Sequence, residues 1–255
     1  MRKIDIPVES PPIRKQLRSE DNVRIAHDST GTRMRVRYDG RSMKETSRTL
    51  MADLTTLLTE ISRIQLADSR IADTFSENKV TAGWLGEPGA TEKEIASAEE
   101  RLGALLPPSY RAFLAQANGF DHIGPFIYRL YSSTEVDWFR VRNQDWIDAY
   151  QNPINKEPGE EGITPEEHLA NPGDSVRFRT AYLSSCLQIS EEGDSAVVLL
   201  NPEVVNAESE WETWLFANWF PGARRYSSFF AYVESELESI NRLRAARSHR
   251  EESSF

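Results

Sequence analysis

The sequence predicts an α+β domain, a mixed, largely antiparallel sheet with packed helices, preceded by an N-terminal extension that holds a β-hairpin. Short apolar runs between turn residues are typical of strands, and apolar residues at three- and four-residue spacing are typical of helices that face a core. With 255 residues, of which 39% are hydrophobic, the chain can bury one full core. We expect residues 1–45 to form the extension, residues 46–245 the α+β domain and residues 246–255 a charged tail.

The extension contains a hairpin with a basic second strand. Val23–His27 and Arg33–Tyr38 are short extended runs separated by Asp-Ser-Thr-Gly-Thr, a composition that favours a turn. Arg33, Arg35 and Arg37 alternate with apolar residues, so a strand places three guanidinium groups on one face. Such a face suits an acidic partner or a phosphate. The more common alternative is an exposed strand whose arginines bind no partner.

Helical spacing begins at Ser47 and continues to about Phe75. The apolar positions are Leu50, Leu54, Leu57, Leu58, Ile61, Ile64 and Ile71. We interpret the segment as one long helix or two joined helices packed on the domain's own sheet. A helix that binds a partner or a second copy is the alternative.

Residues 87–119 predict two short helices and the corner between them. Thr91 and Glu94 form a capping box, in which each satisfies a backbone N–H of the other's turn, so the first helix begins at Glu92. Its apolar stripe is Ile95, Ala98, Leu102 and Leu105.

The second helix of this pair begins at Pro108, because proline suits a first helical turn, where its missing N–H costs nothing. Its buried face is Tyr110, Phe113, Leu114 and Ala117. Asn118 and Gly119 predict a left-handed end to this helix.

The remainder of the chain alternates strand-like runs with turn signals and helix starts. The predicted elements are strands within 123–139, a short helix over 145–150, an acidic loop over 152–174 interrupted by a capped helix over 165–170, strands over 183–189, 196–200 and 211–217, and a final helix from about Ser228.

The spaced motifs of residues 87–119 resemble the SUKH superfamily, which contains fungal cell-wall assembly regulators and bacterial immunity proteins that neutralise secreted toxins. The family's pattern is an acidic amphipathic helix ending in RLG, then LP, a Y and FL helix, and NG. The matching residues are Ile95, Glu99, Arg101, Leu102, Gly103, Leu106, Pro107, Tyr110, Phe113, Leu114, Asn118 and Gly119. A Gly-Asp turn at Gly193 and a Ser-Phe helix start at Ser228 also fit, and the resemblance covers about residues 50–243.

The resemblance implies a SUKH-like α+β fold and a non-catalytic function in binding another protein. It favours an immunity protein that neutralises a cognate bacterial toxin by covering its active site or substrate surface. The alternative is a regulatory scaffold of the cell-wall-regulator type, which binds signalling proteins and inhibits no toxin.

The charge distribution indicates what kind of partner to expect. Residues 1–50 carry 12 Lys and Arg against 7 Asp and Glu, a balance of +5, whereas residues 112–222 carry 6 against 18, a balance of −12. An acidic surface repels nucleic acid and attracts basic proteins by long-range steering. The charge of the main domain therefore indicates a basic protein as partner and no nucleic acid, and the resemblance to the SUKH superfamily implies that this partner is a secreted toxin. The alternative is that the acidic loops only keep the protein in solution.

The candidate partner-binding residues lie in the acidic region. They are Asp121, Glu191, Glu192, Asp194, Glu210, Trp211 and Trp214, with Arg33, Arg35 and Arg37 as a secondary, basic set. Carboxylates at a hairpin tip favour a contact role over paired acid and base catalysis. Trp211 and Trp214 lie in an acidic strand, and if that strand alternates, one indole is near the surface and is a plausible anchor.

The sequence predicts neither an enzyme nor a cofactor or metal site. Its four histidines, His27, His122, His168 and His249, lie far apart, and no zinc, phosphate-loop or serine-nucleophile motif occurs. Cys186, the single cysteine, lies in an apolar run and is expected to be buried. No apolar run reaches membrane-spanning length and no secretory signal is evident, so we expect a cytoplasmic protein.

Overall fold

A computed structural model describes residues 23–27, 33–37, 40–151, 163–219 and 222–252. The chain divides into two compact units, Met1–Thr46 and Ser47–Phe255. In the first unit, strands β1 (Val23–His27) and β2 (Arg33–Arg37) pair antiparallel, with Ile25 opposite Arg35. This pairing agrees with the predicted hairpin.

The described helices include those that the sequence predicts and two short ones that it does not, over residues 77–82 and 139–142. They are α1 (Gly40–Leu66), α2 (Glu77–Ala82), α3 (Glu92–Leu102), α4 (Pro108–Gln116), α5 (Phe139–Arg142), α6 (Gln144–Gln151), α7 (Pro165–Ala170) and α8 (Phe229–Glu252), with 3-10 turns at Ala72–Thr74 and Thr180–Ser185. The α8 helix includes residues expected to form a separate tail. Residues 152–162 of the predicted acidic loop lie outside the described residues.

The strands of the second unit form two antiparallel sheets. They are β3 (Gly86–Pro88), β4 (Ala117–Asp121), β5 (Arg129–Leu130), β6 (Asp137–Trp138), β7 (Leu187–Gln188), β8 (Ala196–Val205), β9 (Trp211–Ala217) and β10 (Ala223–Tyr226). The orders are β10-β9-β8-β7-β6 and β3-β4-β5. An antiparallel bridge between Leu130 and Ser190 joins the two sheets. The predicted fold class, α+β with a largely antiparallel sheet, is confirmed.

The five-stranded sheet is covered on both faces. Because side chains alternate along a strand, Val198 and Leu200 face one core and Val197 and Leu199 face another. The first core contains residues of α1, α3, α4 and α8, and the second contains residues of α5, α6 and the 3-10 turn at Thr180–Ser185. Strand β9, which lies between β10 and β8, is consequently buried at every position.

Both capping boxes are confirmed. The Glu94 N–H donates to Thr91 Oγ1 at 3.3 Å, and the Thr91 N–H donates to Glu94 Oε2 at 2.7 Å. The same reciprocal pair joins Thr164 and Glu167 at the start of α7.

Two boundaries within residues 87–119 differ from the prediction. Helix α3 ends at Leu102, so Leu105 no longer follows the helical stripe and is 71% exposed. Helix α4 continues directly into β4, and Gly119 takes its positive φ of 115° inside that strand. The Asn118 side chain there accepts a hydrogen bond from the Ser133 N–H at 2.6 Å. Asn118 and Gly119 therefore belong to a paired strand and do not form the end of a helix.

Cys186 is buried, as predicted, although it lies after a 3-10 turn and before β7, not within a strand. Within the aromatic-rich residues 123–139 the only strands are the short β5 and β6. The remaining residues form loops before β5 and between the two strands, except for Phe139, which begins α5.

Candidate functional site

The acidic hairpin predicted from the sequence ends in a two-residue turn at Asp194 and Ser195. Their φ values of 47° and 55° are both left-handed, which is the backbone that a tight hairpin turn requires. The flanking Gly193 and Ala196 exchange two backbone hydrogen bonds of 3.0 and 2.8 Å. Gly193 also allows a close approach, because a Cβ there would lie 2.6 Å from the Phe126 carbonyl oxygen.

Aromatic side chains from two other segments hold this turn. The Tyr128 hydroxyl donates to Asp194 Oδ2 at 2.7 Å, and Trp219 Nε1 donates to the Asp194 carbonyl at 2.8 Å. The Phe126 and Trp219 rings pack with their centroids 5.0 Å apart. The turn is thus fixed by side-chain contacts as well as by its own backbone. We define the tip surface as Phe126, Tyr128, Glu191, Glu192, Asp194 and Trp219.

The tip surface combines exposed rings with carboxylates. Tyr128 is 40% exposed and Trp219 is 45% exposed. Glu191 and Glu192 are exposed, and Glu191 Oε2 lies 3.5 Å from Arg129 Nε. The hydrogen bond to Asp194, together with partial burial, raises the pKa of Tyr128, so its hydroxyl keeps its proton at neutral pH. Rings beside fixed carboxylates are suited to recognition of a cation.

Asp121, another predicted contact residue, lies away from the hairpin turn in sequence and is engaged internally. Its Oδ2 lies 2.6 Å from Lys79 Nζ, which also contacts Glu87 Oε1 at 2.7 Å. The three residues tie α2 to the β3-β4 pair. Their role in the fold does not depend on a partner.

Glu210 requires a correction, because it is buried and caps a helix. Its carboxylate accepts from the Ser109 N–H at 2.7 Å and from the Ser109 hydroxyl at 2.6 Å, at the start of α4. Burial raises the pKa of Glu210, although both bonds to Ser109 act in the opposite direction. Both oxygens of this carboxylate are therefore occupied within the fold.

Trp211 and Trp214 also require a correction, because neither indole is near the surface. Trp214 is completely buried, and its ring centroid lies 5.2 Å from that of Phe178. Trp211 is also buried, in the core on the other face of the sheet. The strand does alternate, but both of its faces are covered. In the folded chain Trp214 has no surface through which to anchor a partner.

Trp214 belongs to a buried polar network centred on Glu212. Glu212 Oε2 accepts from Trp214 Nε1 at 2.7 Å, and Glu212 Oε1 accepts from Arg225 Nε at 2.7 Å. His168 Nδ1 accepts the Arg179 N–H at 3.1 Å, so its proton is on Nε2, which donates to Glu212 Oε2 at 2.9 Å. Burial opposes ionisation of Glu212, but the bonds from His168, Trp214 and Arg225 outweigh it and lower its pKa.

This network is structural, since it joins the segment that carries α7 to the sheet. Arg225 Nη2 donates to the His168 carbonyl at 2.7 Å, which closes the connection. The sequence shows His168 as an isolated histidine, because its partner lies 44 residues away in the chain.

The basic candidates Arg33, Arg35 and Arg37 occupy alternate positions of β2, opposite His27, Ile25 and Val23. Their role in binding a partner stays a prediction.

Trp219 and Tyr128 are members of the tip surface that the sequence interpretation missed. One signal could have identified Trp219: it lies in the run Asn-Trp-Phe-Pro-Gly, whose composition predicts a turn and hence an exposed ring. Tyr128 lies in an aromatic-rich segment that reads as a strand, so no local signal marks it as a loop residue.

Within the described ranges, no group of three or more His, Cys, Asp or Glu side chains is arranged to hold a metal ion. No helix there is both long and apolar enough to cross a membrane.

Residues 89–235 match the profile of the SMI1 / KNR4 family (SUKH-1). The match includes the whole of the tip surface and both capped helices. No curated protein matches the chain significantly.

Proposed function

Because the chain belongs to the SMI1 / KNR4 family (SUKH-1), we propose that it is a non-catalytic protein-binding domain that acts as an immunity protein. In this role, the domain of residues 46–245 binds a cognate bacterial toxin directly in the cytoplasm and covers its active site or substrate surface. The family includes both toxin-immunity proteins and cell-wall regulators.

The observation that carries the proposal is the tip surface, within the matched family region. Three carboxylates, Glu191, Glu192 and Asp194, surround a turn that other segments hold in place. A surface that is already ordered loses little entropy when it binds. Its negative charge supports a basic toxin, such as a nuclease, because opposite charges raise the rate of encounter.

Growth rescue tests the immunity role. The protein encoded immediately upstream of this chain is expressed in host cells, alone and together with the chain. We expect growth arrest in the first case, recovery in the second, and a stoichiometric complex on size-exclusion chromatography. Arrest that persists in the presence of soluble chain would contradict immunity against that protein.

The second candidate function is a regulatory scaffold, which the family's cell-wall regulators favour. A scaffold binds several signalling partners weakly and rescues no toxicity. Purified chain immobilised on a resin distinguishes the two functions, because immunity predicts one tight partner and a scaffold predicts several weaker ones.

A further inference from the structure

The tip surface presents an aromatic pair that the fold leaves in contact with solvent. Tyr128 and Trp219 are 40% and 45% exposed, although both contact the same turn residue, Asp194. Phe126 supports the Trp219 ring from one side at a centroid distance of 5.0 Å. Exposed aromatic rings held by neighbours are typical of protein interfaces, where they provide contact area at a low cost in side-chain entropy.

Carboxylates lie within reach of these rings. Asp194 Oδ2 is 2.7 Å from the Tyr128 hydroxyl, and Glu191 and Glu192 precede the same turn. Glu192 is exposed and makes no hydrogen bond or ion pair with the rest of the described chain. A ligand that covers the rings therefore also meets negative charge.

We propose that the tip surface binds an arginine side chain of a partner protein, with the guanidinium stacked on Trp219 or Tyr128 and paired with the adjacent carboxylates. The proposal rests on the proposed function only in requiring a protein partner, and it applies equally to a toxin and to a signalling protein. Arginine fits because its planar cation stacks on aromatic faces and pairs with carboxylates in two directions. A lysine ammonium is a strongly hydrated point charge that stacks less well.

The chain's own Arg129 shows this mode of binding beside the tip surface. Its guanidinium lies 5.3 Å from the Tyr131 ring centroid and donates two hydrogen bonds, of 3.0 and 2.8 Å, to the Glu135 carboxylate. The hydrogen bonds to Glu135 raise the pKa of Arg129, so its charge is permanent. The tip surface offers the same combination of exposed rings and carboxylates.

Isothermal titration of the full chain with two peptides tests the proposal. One peptide alternates arginine with glycine, and the other carries lysine at every arginine position. We expect the arginine peptide to bind about five-fold more tightly or better, because the two peptides carry equal charge and differ only in stacking and bidentate pairing. Equal affinity for the two peptides would overturn the proposal and leave only charge attraction.

Matched variants locate the binding. Glu191→Gln, Glu192→Gln and Asp194→Asn together, and separately Trp219→Ala, are expected to weaken arginine-peptide binding by about ten-fold. The control combines Glu203→Gln, Glu208→Gln and Glu238→Gln, which removes the same charge from exposed positions elsewhere. The control is expected to change affinity by less than about two-fold at physiological salt. An equal loss in the control and the test triple would overturn the site.

Trp219→Phe keeps the proposal testable if Trp219→Ala fails to fold, because it retains an aromatic ring for stacking, although it loses the Nε1 donor and the larger face of the indole. It is expected to keep the preference for arginine over lysine. The peptide titration and the growth-rescue experiment together separate this inference from the immunity role. Rescue of growth with no arginine preference refutes only the arginine site. An arginine preference without rescue refutes only the immunity role. Concentration-dependent self-association that the tip-surface triple abolishes would assign the surface to a second copy and overturn the partner proposal.

Discussion

Glu236 is a carboxyl group that the fold keeps out of water. It is 3% exposed on α8 and packs against Gly124, where a Cβ would lie 1.6 Å from Glu236 Oε2. Burial raises its pKa to about 7, although Arg224 acts in the opposite direction. A raised carboxyl pKa means that the folded chain binds a proton that the unfolded chain releases above about pH 4.5.

The first prediction follows from the upward direction of this pKa shift. The contribution of Glu236 to stability is complete below about pH 4.5 and is lost as the pH rises through about 7. Glu236→Gln removes the cost of burying the charge. The free energy of unfolding of the variant, relative to that of the wild type, should therefore be about 2 kcal/mol higher at pH 8 than at pH 5. Urea unfolding at both pH values measures the difference. Glu234→Gln, at an exposed position of α8, is the control, and an equal effect of Glu236→Gln at both pH values would refute the prediction.

Phe113 provides the second prediction, because it lies at the centre of the first core. Its ring centroid lies 5.1 Å from that of Phe229 and 5.7 Å from that of Tyr110, and it has no exposed surface. Phe113→Ala should lower the free energy of unfolding by roughly 3–5 kcal/mol through the cavity that it leaves. Leu105→Ala, at a position that is 71% exposed, should change it by less than about 0.5 kcal/mol. An unchanged melting temperature of Phe113→Ala would show that this face of α4 contributes little to the packing of the core.

At the scale of elements, distant side chains secure the helix termini and loops of this domain. Arg101 of α3 donates to the carbonyls of Val136 and Ser133 at 2.9 and 3.0 Å, so the RLG arginine holds the loop before β6. Glu99 of the same helix accepts from the Leu106 N–H at 2.8 Å and fixes the corner before α4. The family motif of this region is thus a set of loop anchors.

The third prediction concerns the cap of α4. Glu210→Ala leaves the buried Ser109 N–H and hydroxyl without their acceptor, which should cost roughly 1–3 kcal/mol of stability. Chemical denaturation measures the loss, with the exposed neighbour Glu208→Ala as control. Equal stabilities of the two variants would mean that water replaces the carboxylate at this helix start.

At the scale of the whole molecule, charge sets the expected rate of association. The balance of −12 over residues 112–222 creates a field that extends beyond any single contact. Salt shortens the reach of that field to about 8 Å at physiological ionic strength.

The fourth prediction is therefore kinetic and uses the partner identified by growth rescue. Association should be fast at low salt and several-fold slower at physiological salt, and Glu191→Gln, Glu192→Gln and Asp194→Asn together should slow it with little effect on dissociation. Trp219→Ala should mainly speed dissociation. Surface-binding kinetics at two salt concentrations measures both effects. An association rate indifferent to salt and to the triple change would make Arg33, Arg35 and Arg37 the better candidates.

The sequence by itself determined the features that depend on neighbours within a few residues. The capping boxes at Thr91 and Thr164, the start of α4 at Pro108 and the strand over 211–217 follow from local hydrogen bonding and side-chain periodicity. The family motif also lies in one short segment and could be recognised there.

Only the tertiary structure decided which polar and aromatic side chains reach the surface. Strand β9 alternates as the sequence indicates, but Trp214 is buried because the segment around Phe178 covers the second face of the sheet. Glu210 caps a helix 101 residues away in the chain, and Trp219 contacts a turn 25 residues away. A strand pattern specifies which side chains share a face, whereas the exposure of that face depends on what packs against it.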